Sequence, residues 1–135
     1  MTLVRRLARP MLSSMFVSGG VNALRSVDDH VEMAEPQLDQ LQPAAEKAME
    51  PLPFNLTERQ LVQLNGAVQL VGGLMLATGR FPRLSALALA GSLVPTTWAG
   101  HRFWEESDPT QKANQQIHFF KNVSMLGGLF AVVAA

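Results

Sequence analysis

Four stretches of this chain read as apolar helices, about Leu7 to Leu24, Leu61 to Thr78, Leu84 to Gly100 and Ile117 to Ala135. Each is close to the shortest length that spans a bilayer. The first has no charge from Pro10 to Leu24, and its polar interruptions are Ser13, Ser14, Ser18 and Asn22. Pro10 then falls in the first turn of its helix, where a missing N–H costs least. Gly79 offers a stop to the second span, ahead of a short turn through Arg80, Phe81, Pro82 and Arg83. Pro95 predicts a kink near the end of the third. A soluble four-helix protein with buried helices is the competing reading, but its surface helices would show a polar face. From Leu84 to Val94 only Ser85, Gly91 and Ser92 break the Ala/Leu run. The pattern therefore predicts an all-α protein, a four-helix transmembrane bundle forming a single domain over residues 1–135. The fourth span reaches Ala135 without a polar flank, which predicts that the natural chain continues.

The linkers are unequal. Between the first two spans, the segment from Val27 to Pro53 carries seven acidic residues and the prolines 36, 43, 51 and 53. It reads as a long acidic loop in water, which the prolines cut into pieces too short for one long helix. Within it Val27, Val31 and Ala34, then Leu38, Leu41, Ala45 and Met49, recur at helical spacing, as short amphipathic helices across the bundle mouth would require. A second polar loop covers Glu105 to Lys112. Arg5, Arg6 and Arg9 before the first span, and Arg80 and Arg83 between the second and third, fall on one side of an even-numbered bundle. By the preference of basic loops for the cytoplasm, that side is inside, both termini are cytoplasmic, and the acidic loop is extracytoplasmic. Trp98, Phe103 and Trp104 then form an aromatic belt at the outer interface. Although the basic N-terminus preceding an apolar run has the look of a signal peptide, no small-residue cleavage site follows, and the run is read as a retained first span.

Composition sharpens this picture in two ways. Charged residues are 16% of the 135, the net charge is zero, and no acid lies between Arg59 and Phe103. A neutral chain with segregated charge is no nucleic-acid binder. The chain contains no cysteine, which excludes disulfides, thiolate metal sites and persulfide chemistry carried by the chain itself.

Once the spans are oriented, polar residues converge on the outer half: Asn22 and Arg25 at the end of the first, Asn65 and Gln69 in the second, Thr97, His101 and Arg102 closing the third, and His118, Lys121 and Asn122 opening the fourth. Asn65 with Gln69, Thr97 with His101, and His118 with Asn122 are four apart, so each pair shares a helical face. Ionisable groups at membrane depth face the bundle interior. The predicted ligand site is accordingly a polar cavity lined by Arg25, Asn65, Gln69, His101, Arg102, His118, Lys121 and Asn122. Snorkelling of Arg25, Arg102 and Lys121 to headgroups, and plain helix bonding by Asn65 and Gln69, are the alternatives. Two histidines without carboxylate partners do not make a metal site. An anion or a quinone carbonyl suits the Arg/Lys/His content better. Three glycine pairs, Gly19-Gly20, Gly72-Gly73 and Gly127-Gly128, read as close helix contacts.

The stretches Arg9 to Gly20, Asn65 to Gln69, Ala77 to Leu84, Leu93 to Glu105 and Ile117 to Asn122 together resemble the DoxX family of small four-helix membrane proteins, in its actinobacterial form. That family takes its name from similarity to a membrane subunit of an archaeal thiosulfate:quinone oxidoreductase. The resemblance implies a multi-pass protein of the bacterial cytoplasmic membrane that belongs to a redox assembly. There it would contact lipids, anchor other protein subunits and bind a quinone or an anion in the outer-half polar pocket, with no intrinsic cofactor or metal and no catalysis alone. The rival reading is a non-enzymatic scaffold, or a lipid-handling or transport subunit.

Overall fold

The computed structural model describes residues 2–51 and 56–135, without the side chains at 37, 38, 40–42, 44–46, 48, 49 and 99. The described residues form five α-helices: α1 (Leu3–Arg25), α2 (Val27–Met49), α3 (Glu58–Thr78), α4 (Pro82–Gly100) and α5 (Pro109–Ala134), with a 3-10 turn at Phe103–Glu105. No strand occurs among them.

Local chemistry explains where the helices start and stop. Thr57 and Gln60 form a reciprocal capping box at the start of α3. Gly79 ends it in the left-handed conformation (φ 73°), and the Arg80 N–H returns to the Met75 carbonyl at 2.9 Å. Asp108 caps α5 through the Thr110 N–H at 3.0 Å, and Pro109 occupies the first turn.

Three expectations need correction. The acidic segment is a helix from Val27 to Met49, with Pro36 and Pro43 inside it, not an irregular loop of short pieces. Both prolines are exposed and seven residues apart, and the residues whose carbonyls they release, Glu32 and Asp39, are exposed too. Water can therefore satisfy those carbonyls along one face. The apolar face expected of Leu38, Leu41, Ala45 and Met49, and the loop end at Pro53, lie outside the described residues. Likewise Pro10 is inside α1, not in its first turn, because the helix already begins at Leu3. Finally, Pro109 to Gln116 is helical, since Asp108 and Pro109 start α5 two turns before the apolar run.

The helices α1, α3, α4 and α5 pack with neighbours antiparallel. Gly20 lies against Gly66 and Leu70, while Gly73 lies against Phe16 and Val17. A Cβ on Gly20 would sit 2.6 Å from the Leu70 nitrogen, so only glycine permits this approach. Gly72 turns the other way and receives Leu89 of α4, and Gly128 of α5 receives Leu12 of α1. The apolar core of Phe16, Leu76, Ala86, Leu89, Ala90, Leu93 and Leu129 fills the half of the bundle nearer the arginines. The opposite half is held by polar side chains. There α2 begins beside α3, with Asp28 accepting from Arg59 in an exposed ion pair.

Outside this core, every bundle helix shows large apolar side chains to its surroundings: Met11 on α1 (74% exposed), Val71 and Leu74 on α3, Leu87 and Val94 on α4, Ile117, Phe120 and Phe130 on α5. A water-soluble domain rarely presents so much contiguous apolar surface. Two helices, α3 and α5, are long and apolar enough to cross a membrane.

Candidate functional site

The eight predicted site residues fall on three polar contacts and one separate position. On the α3–α4 seam, Asn65 Nδ2 donates to Thr96 Oγ1 at 3.0 Å and Gln69 Nε2 to the same oxygen at 3.5 Å. Ser92 Oγ donates back to Asn65 Oδ1 at 2.5 Å, and the Thr96 hydroxyl donates to the Ser92 carbonyl at 2.8 Å. This closed network joins two helices and satisfies its own polar atoms. Ser92 and Thr96 were not among the predicted residues, although their i,i+4 spacing places them on one helical face.

Along the α4–α5 seam the polar residues form successive rungs. Asn122 Nδ2 donates to Thr97 Oγ1 at 2.9 Å, and the Thr97 hydroxyl donates to the Leu93 carbonyl at 2.7 Å. One turn outward on both helices, His101 and His118 stack, with ring centroids 5.1 Å apart and planes 21° from parallel. Nδ1 of His101 meets Gln115 Oε1 at 2.7 Å, and Lys121 Nζ lies 3.4 Å from His118 Nδ1. Gln115 was missed because it lies in helix ahead of the apolar run; it shares a face with His118 and Asn122. Stacked imidazoles point their lone pairs along near-parallel planes and not toward a common centre, and no three His, Asp or Glu side chains gather among the described residues. His101, beyond the last residue of α4, is half-buried. Desolvation holds its imidazole below the ordinary histidine range, against the Gln115 hydrogen bond; the charges of His118 and Lys121 add to the lowering.

The third contact caps this end. The guanidinium of Arg102 lies 4.5 Å from the centroid of the Trp98 ring, and its Nη2 pairs with Glu105 at 2.9 Å. Trp98, Phe103, Trp104, Phe119 and Phe120 pack on one another beside it, edge to face or tilted. Arg25 stands apart, exposed at the end of α1.

Between α4 and α5 lies a groove of about 500 Å³. Trp98, Phe119, Leu93, Val94, Val123 and Leu126 make most of its lining, which is almost wholly apolar, and Asn122 and Thr97 are its polar members. Pro95 also lines it, and a proline ring in mid-helix leaves the Gly91 carbonyl without its helical donor. Of the eight predicted residues, Asn122 is the one that lines the groove; the histidine pair sits one turn above and Arg102 reaches it through Trp98.

Comparison with curated proteins and with solved structures finds no match. The sequence profile of the DoxX family matches residues 5–102, which takes in α1 to α4 and stops just past the Trp98 and His101 turn, leaving α5 outside the matched stretch. With nearly three quarters of its length covered, and with two helices of membrane-crossing length and apolarity, this chain is a membrane protein belonging to the DoxX family.

Proposed function

We propose that this chain is a four-span subunit of a redox assembly in the bacterial cytoplasmic membrane, anchoring partner proteins and holding a quinone in the groove between α4 and α5. The observation that carries this reading is the groove itself: aromatic and aliphatic walls suited to a flat ring and its tail, with one amide donor, that of Asn122, to meet a carbonyl. The groove's lining residues include no charged side chain, which favours a quinone over a small anion. Asn122 uses one amide hydrogen on Thr97 and retains a second donor and its carbonyl oxygen for a ligand. A bound quinone supplies two-electron, two-proton redox chemistry. The chain's part is to bind and orient the ring, and without cysteine it relies on partners for sulfur or flavin chemistry.

The test is titration of the purified chain in mild detergent with a short-chain quinone, read by tryptophan fluorescence, with an alkanol of equal chain length as control. Saturable quenching is expected, lost largely in Trp98→Phe and weakened about tenfold in Asn122→Leu, the scale of one hydrogen bond at a desolvated site. Quenching that never saturates, or that persists when Val123→Trp fills the groove, would leave the scaffold reading in its place.

A further inference from the structure

We infer that the arginine-bearing end of the bundle is a binding surface for anionic phospholipid headgroups. The inference rests on the bilayer crossing proposed above and concerns a face the quinone groove does not touch. Antiparallel packing brings Arg5, Arg6 and Arg9 of α1 to the same end as Arg80 and Arg83 of the α3–α4 turn, because Phe16 and Val17 already lie opposite Gly73. Arg5, Arg6, Arg80 and Arg83 are exposed. No Asp or Glu occurs in α1, α4, α5 or the turn, and the single acid of α3, Glu58, is at its opposite end. The four exposed guanidinium groups of Arg5, Arg6, Arg80 and Arg83 thus share one face, to which α1, α3, α4 and α5 bring no acidic side chain.

A second, independent feature marks this face. Phe81, at the tip of the turn, is held at φ 45°, ψ 54°, and the residue is 69% exposed. The left-handed region disfavours a bulky side chain, and a residue before proline avoids helical values as well. The fold accepts that conformation and leaves Phe81 exposed, with Arg80 and Arg83 flanking it in the sequence. Leu3, Val4 and Leu7 of α1, at the same end, are exposed among Arg5, Arg6 and Arg9. Apolar side chains interleaved with guanidiniums are what an interface requires: the rings and aliphatic chains enter the acyl boundary while each guanidinium meets phosphate oxygens in bidentate fashion. A zwitterionic lipid cancels its own phosphate with a cation, so the net positive face selects lipids with net negative headgroups.

The experiment is native mass spectrometry of the chain released from nanodiscs made with equimolar phosphatidylglycerol and phosphatidylcholine. Adducts of phosphatidylglycerol should exceed those of phosphatidylcholine about fivefold. The double variant Arg80→Gln/Arg83→Gln should lose most of that preference, Arg80→Lys/Arg83→Lys should retain part of it, and Arg25→Gln/Lys121→Gln, at the other end, should leave it unchanged. Melting temperatures of all variants in detergent show whether they fold. Equal retention of the two lipids by the unaltered chain overturns the inference, as does loss of preference in the Arg25/Lys121 variant alone. Failure of the chain to enter nanodiscs at all would reject the bilayer crossing itself, a result distinct from incorporation without lipid preference.

Discussion

Adding one methyl group separates the glycines of this protein into two kinds. At Gly20 the new carbon meets the backbone of α3, which cannot swing aside, whereas at Gly127 it meets nothing within 4 Å. Gly20→Ala should therefore destabilise the chain by about 1–3 kcal/mol, the usual cost of overpacking, while Gly127→Ala should be neutral or slightly stabilising. Thermal unfolding of both variants in one detergent checks this, and equal losses would mean that helix propensity dominates over contact. The glycine pairs were legible in the sequence, but not which neighbour each glycine meets, or that Gly127 meets none, because that depends on the rotation of each helix. His101 gives a second residue-scale expectation. Burial favours its neutral ring, so the folded chain binds that proton more weakly than the unfolded chain does. Stability is then full above the ordinary histidine range near about 6.5 and declines as pH falls through it toward the lower folded value. Around the ring the relevant charges are His118 and Lys121 on α5 and the Arg102–Glu105 pair below α4. Melting temperature measured across that range should fall in the unaltered chain and stay flatter in His101→Gln.

At the scale of elements, starts and stops obey short-range chemistry more closely than hydrophobic continuity does. Asp108 followed by Pro109 is a helix start that stands in plain view in the sequence, yet a reading guided by the apolar run begins the last helix only at Ile117. The two polar turns in between carry Gln115, the partner of His101, so a misplaced boundary hid a contact. In α2 the error ran the other way. Its prolines read as helix breakers in the sequence, but the carbonyls they free lie on an exposed face, where water replaces the lost donors. The α3 capping box is the most local of these devices. Thr57→Ala removes the hydroxyl that accepts from Gln60 N–H and should cost about 0.5–2 kcal/mol, most of it recovered by Thr57→Ser, as thermal melts would show.

For the whole molecule, the orientation across the bilayer is the property most directly open to test. Single cysteines at Asp39 and Phe81 in this cysteine-free chain should differ in labelling by an impermeant reagent on intact cells, with Asp39 labelled and Phe81 protected. The reverse pattern inverts the assignment of inside and outside. The closest helix contact in the bundle joins α1 to α3, two elements that are not consecutive, and Gly20 meets Gly66 only after the whole of α2 has been made. During synthesis the first helix is therefore made before its mate. Through that interval its glycine face is open to any other helix with a complementary face. A ribosome stalled within α2 would hold the protein in that state, where a nascent chain could be crosslinked to neighbours at Gly20 and released from them once α3 arrives.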